Sequence, residues 1–131
     1  MPNQVEIILR LLLAAALGAI IGFQRERAGK PAGMRTHMLI CIGAALFTVA
    51  GMEGFTGADP ARIAAGIVTG IGFLGAGAIF RREGGLVVGL TTAASIWSIA
   101  AIGLAAGAGL YLIASAAALL ILIVLVLPHI E

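Results

Sequence analysis

The chain has 131 residues, of which 61% are hydrophobic and 11% charged, with a mean hydropathy of +1.14 and a formal net charge of +2. Soluble domains are roughly 45–50% apolar and about 25% charged, so this composition excludes a soluble globular protein and indicates an integral membrane protein. An excess of two positive charges is too small to indicate nucleic-acid binding. The single cysteine, Cys41, excludes a disulfide framework.

Five segments are predicted to cross the membrane as helices, because a hydrocarbon core of roughly 30 Å takes about 20 helical residues. The predicted helices of this single transmembrane domain are about 5–23, 36–52, 63–80, 86–106 and 108–127. The first is interpreted as a retained helix and not a signal peptide, since Glu6 and Arg10 leave its start without net positive charge. A tight turn around Gly107 and Gly109 divides the last apolar run. The expected fold class is an all-α integral membrane bundle of five transmembrane helices.

Basic residues in the short loops predict the orientation of this bundle. The loops after the first and third helices hold Arg25, Arg27, Lys30, Arg35, Arg81 and Arg82, and the other side holds Arg10 and Arg62 beside Glu53 and Asp59. Because Lys and Arg are enriched in cytoplasmic loops, we expect the N-terminus outside and the C-terminus, up to Glu131, in the cytoplasm.

Two short non-helical pieces are predicted between the helices. In AGKPAG, Pro31 and two glycines interrupt any helix. In EGFTGADPAR, Asp59 is typical of a helix N-cap, and Pro60 is typical of the first helical position. The third helix is therefore expected to begin close to Asp59.

The segment GIGFLG, from Gly70 to Gly75, matches a dinucleotide-binding pattern by its letters alone. That fingerprint requires a preceding strand, a helix opening at the third glycine, and an acid about 20 residues further on. Here the glycines lie within an apolar run, and TTAASIWSIA around Ser95 contains no carboxylate. Neither a dinucleotide nor a nucleic acid is expected as a ligand.

The glycines favour helix packing instead, because small residues four apart let membrane helices approach closely. Such packing, between helices or across a dimer interface, is predicted for Gly18, Gly22, Gly66, Gly70, Gly72, Gly75, Gly77, Gly103 and Gly107. In the alternative hypothesis the chain unwinds around Gly70 to Gly77, and its freed carbonyl groups line an ion or ligand site.

Three motifs resemble those of the MgtC/SapB family of membrane proteins. They are AGMRTHML from Ala32, GIGFLGAG from Gly70 and GLTTAASIW from Gly89, and they follow a basic G-x-x-R-E junction at Gly22 to Glu26. The resemblance covers nearly the whole chain. Many members have a glutamate where this chain has Gln24. Many also carry a C-terminal cytoplasmic ACT-like domain, and regulation through such a domain is not expected of these residues.

The resemblance implies a bacterial inner-membrane protein involved in adaptation to low magnesium and, in pathogens, in survival inside macrophages. It also implies a regulator that binds other membrane proteins, among them the F-type ATP synthase, and that is not itself a magnesium transporter. A family likeness warrants this as a hypothesis about function.

Charged and polar residues within or next to the predicted helices, together with Trp97, are the candidates for a functional core. They are Glu6, Arg10, Arg25, Glu26, Arg35, Thr36, His37, Asp59, Thr91, Thr92, Ser95 and Trp97. Glu6 and Arg10 are spaced as an ion pair, from which Arg10 reaches outward to the interface. In the alternative, Arg10 faces the bundle interior and meets an acid such as Asp59. Trp97 is too deep for an interfacial belt and is expected to pack against glycine surfaces.

At the inner side, Arg35, Thr36 and His37 open the second helix, and Thr91, Thr92 and Ser95 lie near the inner end of the fourth. An arginine and hydroxyl groups at the mouth of a bundle are suited to hold an anionic headgroup or to orient a partner. The alternative is local capping with hydrogen bonds between helices.

No set of side chains builds an enzyme, since His37 and His129 are far apart and no His, Cys and carboxylate cluster is seen. No cofactor is expected, and the sequence identifies no metal ligands. The first hypothesis is a non-enzymatic membrane regulator that forms a homo-oligomer, with a dimer favoured, and binds other membrane proteins. The alternative is a small dimeric transporter or channel for a cation such as Mg²⁺, with its path along Gly70 to Gly77.

Overall fold

The computed structural model describes residues 2–128, which form five α-helices and one short β-hairpin. The elements are α1 (Gln4–Arg27), α2 (Met34–Glu53), α3 (Pro60–Ala76), β1 (Phe80–Arg81), β2 (Val87–Val88), α4 (Leu90–Gly107) and α5 (Tyr111–Val126). The predicted number of helices is confirmed for this part of the chain. Residues 129–131, predicted to be cytoplasmic and including His129, lie outside the described residues.

Three of the helices are long and apolar enough to span a membrane, namely α1, α2 and α4. The other two, α3 with 17 residues and α5 with 16, are apolar but shorter. At 1.5 Å per residue they measure about 24–26 Å, against a hydrocarbon core of roughly 30 Å. Length and composition therefore support three complete spans and two helices that need their flanking residues to cross.

The segment between α3 and α4 differs from the prediction. The third helix was expected to reach residue 80 and the fourth to begin at 86, but residues 80–88 form the antiparallel hairpin of β1 and β2, in which Phe80 pairs with Val88. The hairpin turns at Gly84 and Gly85, whose φ angles are +88° and +84°, a region open mainly to glycine. Gly89 follows the hairpin with a φ angle of +92°. Only glycine fits at this position, because a Cβ there would collide with the Ala78 carbonyl oxygen.

The helix that contains GIGFLG is continuous from Pro60 to Ala76. The hypothesis that the chain unwinds around Gly70 to Gly77 is therefore wrong for every position of that segment except Gly77, which caps the helix. The start of α3 is as predicted, since the Asp59 side chain accepts a hydrogen bond of 3.0 Å from the Ala61 N–H.

The core lies where α1, α2 and α4 pack against one another, with α5 against α1 and α4. Its fully buried members include Ala14, Ile21, Cys41, Ala45 and Ile99. By contrast, α3 is held mainly through α4, where Ile71 packs with Ile96 and Ala100. Small residues on α1, α2 and α4 let the backbones of these three helices approach closely.

The predicted packing glycines lie in two different environments. A Cβ at Gly18 would be 2.9 Å from the His37 carbonyl oxygen, and one at Gly22 would be 2.6 Å from Met34 Cα. Gly103 and Gly107 meet α2 in the same way, at the Cys41 and Ala45 carbonyl oxygens. In α3, Gly66, Gly70 and Gly72 have no neighbour within 4 Å of an added Cβ. Gly75 is in ordinary contact with Ala93 of α4, at 3.6 Å, and Gly77, the C-cap, meets only its own turn.

Candidate functional site

Charge divides the bundle into two ends. The basic end carries Arg25, Arg27, Lys30, Arg35, Arg81 and Arg82 with Glu26 and Glu83, and comprises the C-termini of α1 and α3 and the N-termini of α2 and α4. The opposite end carries Arg10 and Arg62 with Glu6, Glu53 and Asp59. Each end contains one buried arginine from α1, and these two side chains organise the polar interior.

A buried polar cluster at the basic end joins α1, α2 and α4. This basic-end cluster consists of Arg25, His37, Thr92 and Ser95, all of which are buried. Arg25 Nη2 donates to Thr92 Oγ1 at 3.4 Å, and His37 Nε2 lies 2.9 Å from Ser95 Oγ. Ser95 Oγ in turn donates to the Thr92 carbonyl oxygen at 2.8 Å. Four side chains from three helices therefore meet in one network.

The hydrogen bonds of His37 identify its proton positions. Nδ1 lies 2.9 Å from the Gly33 carbonyl oxygen, and because a carbonyl oxygen only accepts, Nδ1 carries a proton. In the neutral imidazole Nε2 then accepts, so the single hydroxyl proton of Ser95 serves both Nε2 and the Thr92 carbonyl oxygen. The cluster has more acceptors than protons at this point, and it contains no carboxylate.

Only part of the predicted inner-side set is brought together. His37, Thr92 and Ser95 form the cluster, while Arg35, Thr36 and Thr91 are exposed and take no part in it. The arginine in the cluster is Arg25, which the sequence interpretation counted in the functional core without assigning it a partner. The sequence did contain a signal that Arg25 faces the bundle. Gly18, Gly22 and Arg25 are spaced at i, i+4 and i+7, so they share the face of α1 that meets α2.

Trp97 does not pack against glycine surfaces as expected, since 55% of its surface is exposed. The buried face of α4 carries Ser95, Ile96, Ile99 and Ala100, and at 100° per residue Trp97 points away from it. The indole therefore faces the membrane side of the bundle.

Two further residues of the G-x-x-R-E junction contact other elements. Glu26 Oε1 accepts a hydrogen bond of 3.4 Å from the Met34 N–H at the start of α2. Gln24 Nε2 donates to the Leu125 carbonyl oxygen in the last turn of α5 at 3.2 Å. Because a glutamate carboxylate only accepts, a glutamate at position 24 would lose this bond. The amide at Gln24 therefore ties α1 to α5.

The other buried arginine belongs to what we call the opposite-end cluster, formed by Glu6, Arg10, Gly107 and Tyr111. Arg10 is 8% exposed; its Nη1 donates to the Gly107 carbonyl oxygen at 2.9 Å, and its Nη2 lies 3.3 Å from Glu6 Oε1. Tyr111 Oη donates to the same carboxylate oxygen at 3.4 Å. A cation at the C-terminus of α4 is favoured by the helix dipole.

This geometry corrects both interpretations of Arg10. The ion pair with Glu6 is present, but Arg10 faces the bundle interior and does not reach outward to the interface. Asp59 is not its acid, because Asp59 is committed to the N-cap of α3. Gly109 makes room for the guanidinium, since a Cβ there would be 2.8 Å from Arg10 Nη2.

A third feature is an apolar groove of about 770 Å³ between α2 and α3, the α2–α3 groove. Arg62 is the one charged residue in its lining. The lining residues are Leu39, Ile40, Gly43, Ala44, Phe47, Ala50, Gly51, Phe55, Arg62, Ile63, Gly66, Ile67, Gly70, Ile71, Leu74 and Ala100. Gly43, Gly66 and Gly70 have open space where a Cβ would be, so at these three positions the helix backbone itself lines the groove. Within residues 2–128 no group of three His, Cys, Asp or Glu side chains is placed to hold a metal ion.

Known proteins are similar to this chain over most of its length. It is 47% identical to the Escherichia coli K12 protein named "Putative magnesium transporter YhiD", over 95% of this chain and 61% of that protein. It is 51% identical to protein MgtC of Salmonella typhimurium LT2, over 88% of this chain and 49% of that protein. It is 39% identical to protein SapB of Bacillus subtilis 168, over 90% of this chain and 54% of that protein.

The chain therefore spans about half to three fifths of the length of these relatives. No solved structure matches it. The model of the MgtC family matches residues 11–130, from the first turns of α1 to beyond α5. By this match and by its relatives, the chain belongs to the MgtC family.

Proposed function

We propose that this chain is a non-enzymatic protein of the bacterial inner membrane that binds a transmembrane helix of another membrane protein in the α2–α3 groove. The observation that carries the proposal is the groove itself. It is lined by apolar side chains from two helices, and Gly43, Gly66 and Gly70 leave its walls without side chains.

A groove of this kind suits a helix because of how helices associate in lipid. Lipid tails are as apolar as leucine, so association there depends on close van der Waals packing, for which small residues are favoured. The exposed rings of Phe47 and Phe55 at the groove offer contact area to an apolar helix. Arg62 lies near the start of α3, where its side chain can pair with a polar group at the interface.

The partner proposed for the first test is the F-type ATP synthase, and the process is adaptation to low magnesium and survival inside host cells. This follows from the family resemblance, and protein MgtC of Salmonella typhimurium is 51% identical to the chain. The basic end is proposed to face the cytoplasm, because Lys and Arg are enriched in cytoplasmic loops. Self-association as a dimer belongs to the same proposal, through a surface other than the groove.

A matched pair of variants tests the groove. Gly70 lines it and Gly72 does not, yet both lie in α3 with no neighbour within 4 Å of an added Cβ. Gly70→Leu is expected to abolish site-specific photocrosslinking to subunits of purified ATP synthase in proteoliposomes, while Gly72→Leu leaves it intact. Equal crosslinking by both variants, or none by the wild-type chain, would contradict the proposal.

The second candidate is a dimeric cation transporter, favoured by the transporter name of the 47% identical protein YhiD. Its test is flux of Mg²⁺, H⁺ and Na⁺ into liposomes that contain the purified chain. Transport that depends on the protein and disappears in Gly75→Leu, where α3 meets Ala93 of α4, would replace the regulator proposal. No flux together with groove-dependent crosslinking would support it.

A further inference from the structure

The basic-end cluster lies where two helices begin. Thr92 is in the first turn of α4 and His37 in the first turn of α2. The N-caps of these helices are Gly33 and Gly89, and neither supplies a side-chain capping bond. Neither first turn holds an acidic residue. At α4, free N–H groups and the helix dipole make the start electropositive. At α2, the Glu26 carboxylate accepts from the Met34 N–H, so the start of α4 is the more electropositive of the two.

Arg25 adds a buried positive charge at the same place. It is 2% exposed, and its Nε has no hydrogen-bond partner. Its one bond within the described residues is the 3.4 Å contact to the neutral Thr92 hydroxyl, and no carboxylate of residues 2–128 forms an ion pair with it. A buried cation without a counter-ion is costly, and a helix N-terminus raises that cost. Around Arg25 and the first turn of α4, unlike around Ser95, unpaired donors and positive charge remain that an anion would balance.

We propose that the basic-end cluster binds a phosphate group, as a lipid headgroup or as free phosphate. Arg25 would pair with its oxygens, the N–H groups of the first turn of α4 would donate to them, and the hydroxyls of Thr91 and Thr92 would complete the set. Phosphate fits because its several acceptor oxygens match a guanidinium fork and a helix N-terminus together.

The site is close to the surface although Arg25 is buried. Arg25 lies two residues from the end of α1, about 3 Å along the helix axis, and Thr91, next to its partner Thr92 in the first turn of α4, is exposed. Exposed Lys30 and Arg35 lie at the same end of the bundle, where they raise the local concentration of anions. The site shares no lining residue with the α2–α3 groove, so the phosphate proposal does not depend on the function proposed for that groove.

The test compares Arg25→Gln with Arg27→Gln, which removes the same charge from the same helix end but from an exposed side chain over Phe23. The purified chain in uncharged detergent is titrated with inorganic phosphate against chloride at equal ionic strength, and the thermal midpoint is followed by circular dichroism. Phosphate is expected to raise the midpoint of the wild type and of Arg27→Gln. Its apparent affinity for Arg25→Gln is expected to fall about tenfold or more.

A second arm separates the two sources of phosphate. Midpoints are compared in nanodiscs of phosphatidylglycerol, whose headgroup phosphate carries a net negative charge, and of phosphatidylcholine, in which the choline cation neutralises and covers the phosphate. A rise in phosphatidylglycerol that free phosphate does not increase, and that needs Arg25, identifies the headgroup; a response to free phosphate alone identifies the soluble ion. No response in either arm, or equal losses in Arg25→Gln and Arg27→Gln, overturns the proposal.

A second variant decides the matter if Arg25→Gln does not fold. Thr92→Val keeps the side-chain shape and removes the hydroxyl, so it is expected to weaken phosphate binding several-fold with unchanged helix content. Wild-type affinity in a folded Thr92→Val protein would overturn the proposed site.

Discussion

Arg10 and Arg25 are both buried on α1, and each meets one end of α4, yet their surroundings are opposite. Arg10 reaches the C-terminus of α4, where it finds the Gly107 carbonyl oxygen and the Glu6 carboxylate. Arg25 reaches the N-terminus of α4, where its one hydrogen bond within the described residues is to the neutral Thr92 hydroxyl. The Nε of each arginine has no hydrogen-bond partner, so the two differ in the groups around their terminal nitrogens. The first arginine is at the negative end of the helix dipole and the second at the positive end.

The difference separates a structural arginine from one available to a ligand. At the opposite end, the Gly107 carbonyl oxygen and the Glu6 carboxylate pair with Arg10, and Tyr111 of α5 donates to the same carboxylate, so α1, α4 and α5 are held together. At the basic end the charge of Arg25 is buried with only the neutral Thr92 hydroxyl as its acceptor. Removing the Arg10 side chain should therefore lower the free energy of unfolding more than removing that of Arg25. The following variants test this difference and the packing around it, in decreasing order of expected effect.

The largest effect is expected from Arg10→Met. The substitution removes a charge-assisted bond to the Gly107 carbonyl oxygen and leaves that buried acceptor unpaired, so the free energy of unfolding should fall by about 1.5–3 kcal/mol. Unfolding in mixed micelles, followed by circular dichroism, measures it. Arg62→Met, at an exposed arginine of the same end, is the control, with a change expected within about 0.5 kcal/mol. Equal losses in the two variants would show that Arg10 is not specifically held.

The second-largest effect is expected where α4, which lies between the two arginines, packs against α2. A Cβ at Gly103 would collide with the Cys41 carbonyl oxygen of α2, so Gly103→Ala should lower the free energy of unfolding by about 1–3 kcal/mol through overpacking. The matched variant Gly66→Ala has open space and should be neutral or stabilising by up to about 1 kcal/mol, because alanine favours helix. The same unfolding measurement compares them, and a harmless Gly103→Ala would refute the close approach of α2 and α4.

Ser95→Ala is expected to have a moderate effect at the basic end. It removes the hydroxyl that meets His37 Nε2 and leaves the imidazole nitrogen without a partner. A loss of about 1 kcal/mol in the free energy of unfolding is expected, with Ser98→Ala on the same helix as the control. A Ser95→Ala protein as stable as wild type would mean that the cluster hydrogen bonds contribute nothing to folding.

The smallest effect is expected from Arg25→Met in the absence of phosphate. Replacing a buried, unpaired cation with an apolar side chain of similar length is often neutral or stabilising, so the unfolding free energy should change by less than about 1 kcal/mol. A loss as large as that of Arg10→Met, in the same assay, would show that the two arginines are equivalent and would end the comparison.

Local chemistry explains which parts of the fold were predictable. Five helices followed from apolar runs and turn residues, and the start of α3 followed from Asp59 and Pro60. The hairpin between α3 and α4 was missed because Phe80, Leu86, Val87 and Val88 continue the apolar run that predicts a helix. Only the positive φ of Gly84 and Gly85 separates the strands, and glycine alone does not reveal which region of φ it adopts.

The candidate site shows the same limit. His37, Thr92 and Ser95 were selected as polar residues at membrane depth, and the structure brings them together. Arg35 was grouped with His37 because it lies two residues before it in the sequence, but it lies on the exposed face of α2. Arg25, ten residues before Arg35, reaches the cluster because α1 crosses α2 at Gly18 and Gly22.

By itself, the sequence determined that this is a membrane protein of five helices, basic at one end, with glycines where helices approach. These properties are local, since apolar length, charge in loops and capping residues act within a few positions of the chain. Only the tertiary structure decided which arginine meets which end of α4, and which glycines are packed or open. Those outcomes depend on how helices cross, and in lipid the crossing is set by shape fitting between distant surfaces, which no single segment contains.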